Sequence, residues 1–171
     1  MRVKNQSYFI KKGFTLIELL VTLGILGILA TVILITVNPV AQLQKANDAR
    51  RKSDLEQLQR ALELYYQDFG SYPKSSAGYL IINNGTNLTW GSSWSPYMTV
   101  LPKDPGSNTY VYYSPAGNQA YYIYASLDRG ANDPQVCNNG NACQSLSSNG
   151  IPNTQCVGTC NYGVSSPNVS P

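Results

Sequence analysis

Residues 11–37 read KKGFTLIELLVTLGILGILATVILITV: two lysines, a glycine, then an apolar run that opens at Phe14. From Phe14 to Val37 the run carries one ionisable group, Glu18. As a helix rising about 1.5 Å per residue it reaches about 36 Å, enough to cross a bilayer core of about 30 Å. A secretory signal peptide would have a shorter apolar region, with its cleavage site after that region. A plain signal anchor would fit the length but would not need an acid so early in the run. A carboxylate at membrane depth is expensive unless paired, which makes Glu18 a candidate functional residue by default; the alternative is a Glu close enough to the interface to stay hydrated. Cutting the chain just before Phe14 would create an ammonium in the plane of Glu18 and supply that partner.

The flanks support a membrane reading. Arg2, Lys4, Lys11 and Lys12 lie in residues 1–13 with no acid among them, which reads as a cytoplasmic anchor. Without that leader the formal charge of +3 becomes eight basic against nine acidic side chains. The head that follows is therefore nearly neutral and lacks the basic footprint of a nucleic-acid binder.

After the apolar run, Asn38-Pro39 predicts a kink or short break, because proline removes a helix hydrogen bond. Helical periodicity then resumes: Leu55, Leu58, Leu62, Tyr65 and Phe69 form one apolar stripe. The intervening Arg50, Arg51, Asp54, Glu56, Arg60, Glu63 and Asp68 are expected mostly to face water. Gly70 stops the helix and Pro73 prevents its restart. Residues 78–96 read as a Gly-, Asn- and Ser-rich loop in which Trp90 and Trp94 are candidates for surface adhesion. Tyr110–Ser114 and Ala120–Ser126 read as an antiparallel hairpin. One of its faces, Tyr121, Ile123 and Ala125 or Ala120, Tyr122 and Tyr124, can pack on the helix stripe. The fold class is α+β: a long N-terminal helix on a small antiparallel sheet. Tyrosine is an ordinary strand residue, and packing explains the tyrosines better than stacking on sugars or bases.

The four cysteines, Cys137, Cys143, Cys156 and Cys160, fall in the last 35 residues. A four-thiolate zinc site is one reading, but the spacings fit the common zinc knuckles poorly. Two disulfides formed in an oxidising compartment are the better expectation, with three pairings open. The stretch 130–171 holds too little apolar material to order itself, and residues 167–171 are expected to fray. There is no histidine in the chain, no G-x-S-x-G and no phosphate-cradling loop. Nothing marks the chain as an enzyme.

Lys11-Lys12-Gly13-Phe14-Thr15-Leu16-Ile17-Glu18 resembles the type III signal of type IV pilins and pseudopilins. Ala49-Arg50-Arg51-Lys52-Ser53-Asp54-Leu55, Ala61–Tyr66, Gly70-Ser71-Tyr72-Pro73 and Leu101-Pro102-Lys103-Asp104-Pro105 are similar to the major pseudopilin branch. The resemblance implies a pilin fold with a removable leader (1–13), a transmembrane and assembly helix (14–37) and an amphipathic helix (38–70). A loop-and-sheet head (71–130) and a cysteine-bearing extension (131–171) follow.

It also implies that a prepilin peptidase cuts after Gly13 and methylates Phe14, and that Glu18 pairs with the Phe14 ammonium of a neighbouring copy. The implied partners are further copies of the chain in a filament, the peptidase, and the assembly platform and ATPase of the membrane. The subunit would be single-pass with its head outside the cytoplasm before assembly, then part of a surface pilus or a periplasmic pseudopilus. Pilus and pseudopilus share all these residues, and the disulfide-bearing tail tilts the choice towards a surface pilus or a minor subunit. A single-pass anchored module that captures sugar or DNA without polymerising is the alternative.

No cofactor is expected, with one exception. Major pseudopilins end in an acidic calcium loop, and Ser126–Asp133 resembles its beginning, making Asp128 and Asp133 candidate calcium ligands.

Overall fold

The computed structural model describes residues 13–171, so the basic leader positions expected to act as an anchor lie outside the described residues. The chain divides between Gln42 and Leu43 into two compact units. In the first, helix α1 (Leu16–Val37) begins at Thr15, whose hydroxyl accepts the Glu18 amide at 3.2 Å. This capping satisfies one of the amides that a helix start leaves without a partner. Thr22 and Thr31 return their hydroxyls to the carbonyls of Leu19 and Ile28, so these polar side chains are satisfied within the apolar helix. The expected break is present: Asn38 adopts φ 44°, ψ 77°, and helix α2 (Pro39–Phe69) restarts at the proline. Proline suits a first helical position, where its missing amide would have had no partner, and the Asn38 side chain accepts the Ala41 amide at 3.2 Å.

In the second unit, α2 buries Leu55, Leu58, Ala61 and Leu62. The stripe thins towards its end, where Tyr65 is half-buried and Phe69 exposed, their rings 4.4 Å apart. Beyond it, β1 (Lys74–Ser75), β2 (Ile81–Asn83) and β3 (Thr86–Leu88) form a small antiparallel sheet. The loop expected over 78–96 therefore contains a hairpin, turned at Asn84-Gly85 with both residues at positive φ, the asparagine–glycine signature of a tight β-turn. Neither tryptophan is a free surface group: Trp94 is 1% exposed within the core and Trp90 packs half-buried against it.

The expected tyrosine hairpin is strands β4 (Val111–Tyr113) and β5 (Tyr122–Ala125), with Tyr112 opposite Ile123. A third strand, β6 (Tyr162–Ser165), pairs antiparallel along the far edge of β5, with Tyr124 opposite Gly163. Strand alternation then sorts the side chains. Tyr112, Tyr121, Ile123 and Ala125 join the α2 stripe in one core. Tyr124 and Val111 face a second cluster with Cys143, Leu146, Ile151, Cys156 and Cys160. The extension thus covers the sheet face that α2 leaves open. Its last residues, expected to fray, are held by hydrogen bonds: Ser165 Oγ donates to the Val169 carbonyl and Asn168 Nδ2 to that of Gln119.

Candidate assembly site and the ion-paired head

Two places in the chain concentrate chemistry. The first is the start of α1. Gly13 and Phe14 precede the helix and Phe14 is exposed. Glu18 occupies the first turn, three residues after the Thr15 cap. A carboxylate there lies at the positive end of the helix dipole. Thr15-x-x-Glu18 is therefore also a capping signature, a local signal that a reading centred on membrane depth passes over. From Leu16 to Ile33 the large apolar side chains are all at least half exposed. That surface belongs against lipid or other helices, not water.

The second place lies on α2, where Arg50, Glu56, Arg60 and Asp68 face water as expected but Arg51 and Asp54 do not. Asp48, Arg51 and Asp54 are buried. Asp48, Arg51, Leu55, Leu58 and Leu62 continue one stripe at spacings of three and four, so the buried face simply turns ionic towards its N-terminal end. Arg51 is 1% exposed and meets three carboxylates. Its Nε donates to Asp104 Oδ2 at 2.7 Å and its Nη2 to Asp104 Oδ1 at 3.1 Å, a two-pronged fork. Nη1 lies 2.8 Å from Asp48 Oδ1 and 2.9 Å from Asp128 Oδ2. Burial works against the Arg51 charge, but the Asp104, Asp128 and Asp48 carboxylates outweigh it and hold the guanidinium protonated well above its ordinary range. Asp54 accepts the Tyr110 hydroxyl at 2.7 Å.

These contacts also fasten the loop after β5. Asp48 accepts the amides of Asp128 and Arg129 at 2.8 and 2.9 Å. Asp133 pairs with the Lys52 ammonium, which also donates to Gln135 Oε1 at 2.8 Å. Burial pushes the Asp133 carboxyl up, yet the Lys52 ammonium and the Gln135 amide prevail and hold it below the usual carboxylate range. The two candidate calcium ligands thus turn towards two different side-chain cations. Among the described residues no group of three or more His, Cys, Asp or Glu side chains is placed to hold a metal ion.

The cysteines resolve into Cys137–Cys143 and Cys156–Cys160, two short loops of sequence separation 6 and 4. Both sit under Tyr124, whose hydroxyl is 2.7 Å from Ser145 Oγ. Asn161 ties the extension to the head by accepting the Leu127 amide and donating to the Leu127 carbonyl.

Comparison with known proteins agrees with this architecture. Residues 38–141 match the family described as type II secretion system protein G, and residues 10–34 match the prokaryotic N-terminal methylation motif. A type II secretion system core protein G of Aeromonas hydrophila is 35% identical over 118 residues, 67% of this chain and 78% of its own length. That of Escherichia coli K12 is 32% identical over 119 residues, covering 68% and 81%. That of Vibrio cholerae is 35% identical over 105 residues, covering 60% and 70%. No solved structure matches. The family match ends at residue 141, so the second disulfide, Cys143 and strand β6 lie beyond it. The cysteine-bearing tail, taken alone, tilted the choice towards a surface pilus; the relatives are secretion-system subunits.

Proposed function

The chain belongs to the type II secretion system protein G family, and on that premise we propose that it is the structural subunit of a secretion pseudopilus, matured at Phe14 and polymerised through α1. The observation that carries this reading is the start of α1. A methylation-motif match over residues 10–34 coincides with a largely apolar helix whose one ionisable residue is Glu18, in its first turn. Cleavage after Gly13 by a prepilin peptidase would place a new ammonium at Phe14, and methylation would keep its charge. In a bundle of α1 helices from several copies, Glu18 of one copy pairs with Phe14 of the next, so neither charge is left alone in a low-dielectric interior. The remaining apolar surface of α1 supplies the packing. The head stays on the extracytoplasmic side, in an oxidising compartment that suits its two disulfides. Peptidase, assembly platform and ATPase are its partners in this scheme, and the chain is a substrate of the first.

Intact-mass analysis of the chain extracted from membranes tests the processing step. The expected mass corresponds to residues 14–171 plus one methyl group. A chain retaining residues 1–13 would point instead to a simple membrane anchor.

A further inference from the structure

We infer that the chain carries its own cations, Arg51 and Lys52, in the place where the resemblance to major pseudopilins calls for calcium. The loop after β5 is therefore docked on α2 independently of divalent metal. Calcium takes six to eight oxygen ligands at about 2.3–2.6 Å, usually with several carboxylates converging. Here the carboxylates diverge onto nitrogen. Asp128 Oδ2 takes Arg51 Nη1 at 2.9 Å, and Asp133 takes the Lys52 ammonium together with Gln135 Oε1. Asp48 is already committed to Arg51 and to two loop amides.

Drawing Asp128 and Asp133 onto one metal would take carboxylate partners from both cations, and Arg51 is buried. The hollow beside this loop, about 360 Å³, is lined by Lys45, Lys52 and Arg129 as well as Asp48 and Asp133. Both acids are engaged, so a divalent cation arriving there meets uncompensated positive charge. A guanidinium fork is directional and permanently charged. Being covalently part of α2, it cannot be removed by a chelator. Gln135 adds a neutral oxygen to the carboxylate oxygen that the Lys52 ammonium already meets.

The test uses the full chain in detergent and follows melting temperature with millimolar calcium and with chelator. Wild type is expected to melt at the same temperature in both. Lys52→Met keeps the aliphatic stem and removes the charge, and should melt about 2–4 °C lower in chelator. Asp133→Asn should match that loss. A calcium-dependent rise in the wild-type melting temperature that disappears in Asp133→Asn would overturn the inference. So would a Lys52→Met variant as stable as wild type. None of these readings depends on filament assembly, so they stand or fall separately from the proposed function.

Discussion

Position 51 shows how much one side chain controls in this head. Its guanidinium is buried among Asp48, Asp104 and Asp128, and removing it would leave Asp48 and Asp104 charged, buried and short of a partner. Breaking a buried pair in this way costs about 3–5 kcal/mol, so Arg51→Met should lose that much stability in denaturant unfolding. Arg51→Lys should recover only part of it, because a point charge cannot make the fork to Asp104. Equal stability of Arg51→Met and wild type would contradict this account of the centre. The sequence pointed to Glu18 readily, because one acid stands out in an apolar run where a carboxylate is costly unless paired. Arg51 was hidden, because its neighbours Arg50 and Lys52 share its charge and its partners Asp104 and Asp128 are far away in the chain. Only the spacing from Arg51 to Leu55, Leu58 and Leu62 could have betrayed its burial.

Among the elements, α1, α2 and the tyrosine hairpin were legible because each has a short-range signature: periodicity, a proline start at Pro39, and a turn between two aromatic runs. The Asn84-Gly85 hairpin was readable by the same turn chemistry, but its strands are three residues each, too short to show alternation. Strand β6 had no local signal at all. Its sequence, Tyr-Gly-Val-Ser, is specified by what it pairs with across the sheet. The disulfides hold the segment that delivers it. Cys137 is half-buried, whereas Cys156 and Cys160 are fully buried. Graded reduction is therefore expected to open Cys137–Cys143 first, with the second bridge yielding only when the extension leaves Tyr124. Alkylation at increasing reductant followed by peptide mass analysis reads this order directly. Loss of Cys156–Cys160 while Cys137–Cys143 remains intact would show that the extension is not packed as described.

The whole molecule divides its work between two kinds of surface. The head is closed: α2 covers one face of the tyrosine sheet and the disulfide-stapled extension covers the other. Helix α1 is the opposite, largely apolar and exposed from Leu16 to Ile33, with one carboxylate at its start. A chain built this way can bury α1 against lipid or other copies of itself, and in the proposed assembly a neighbour's processed terminus supplies the counter-charge for Glu18. The most direct test is the yield of filaments isolated from the cell envelope of cells producing Glu18→Gln, with the amount of processed chain in the membrane measured alongside. Processed chain should be present at normal levels while filament yield falls by roughly an order of magnitude, the effect of losing about 1.4 kcal/mol per contact. Wild-type filament yield from Glu18→Gln would contradict the pairing on which the assembly mechanism rests.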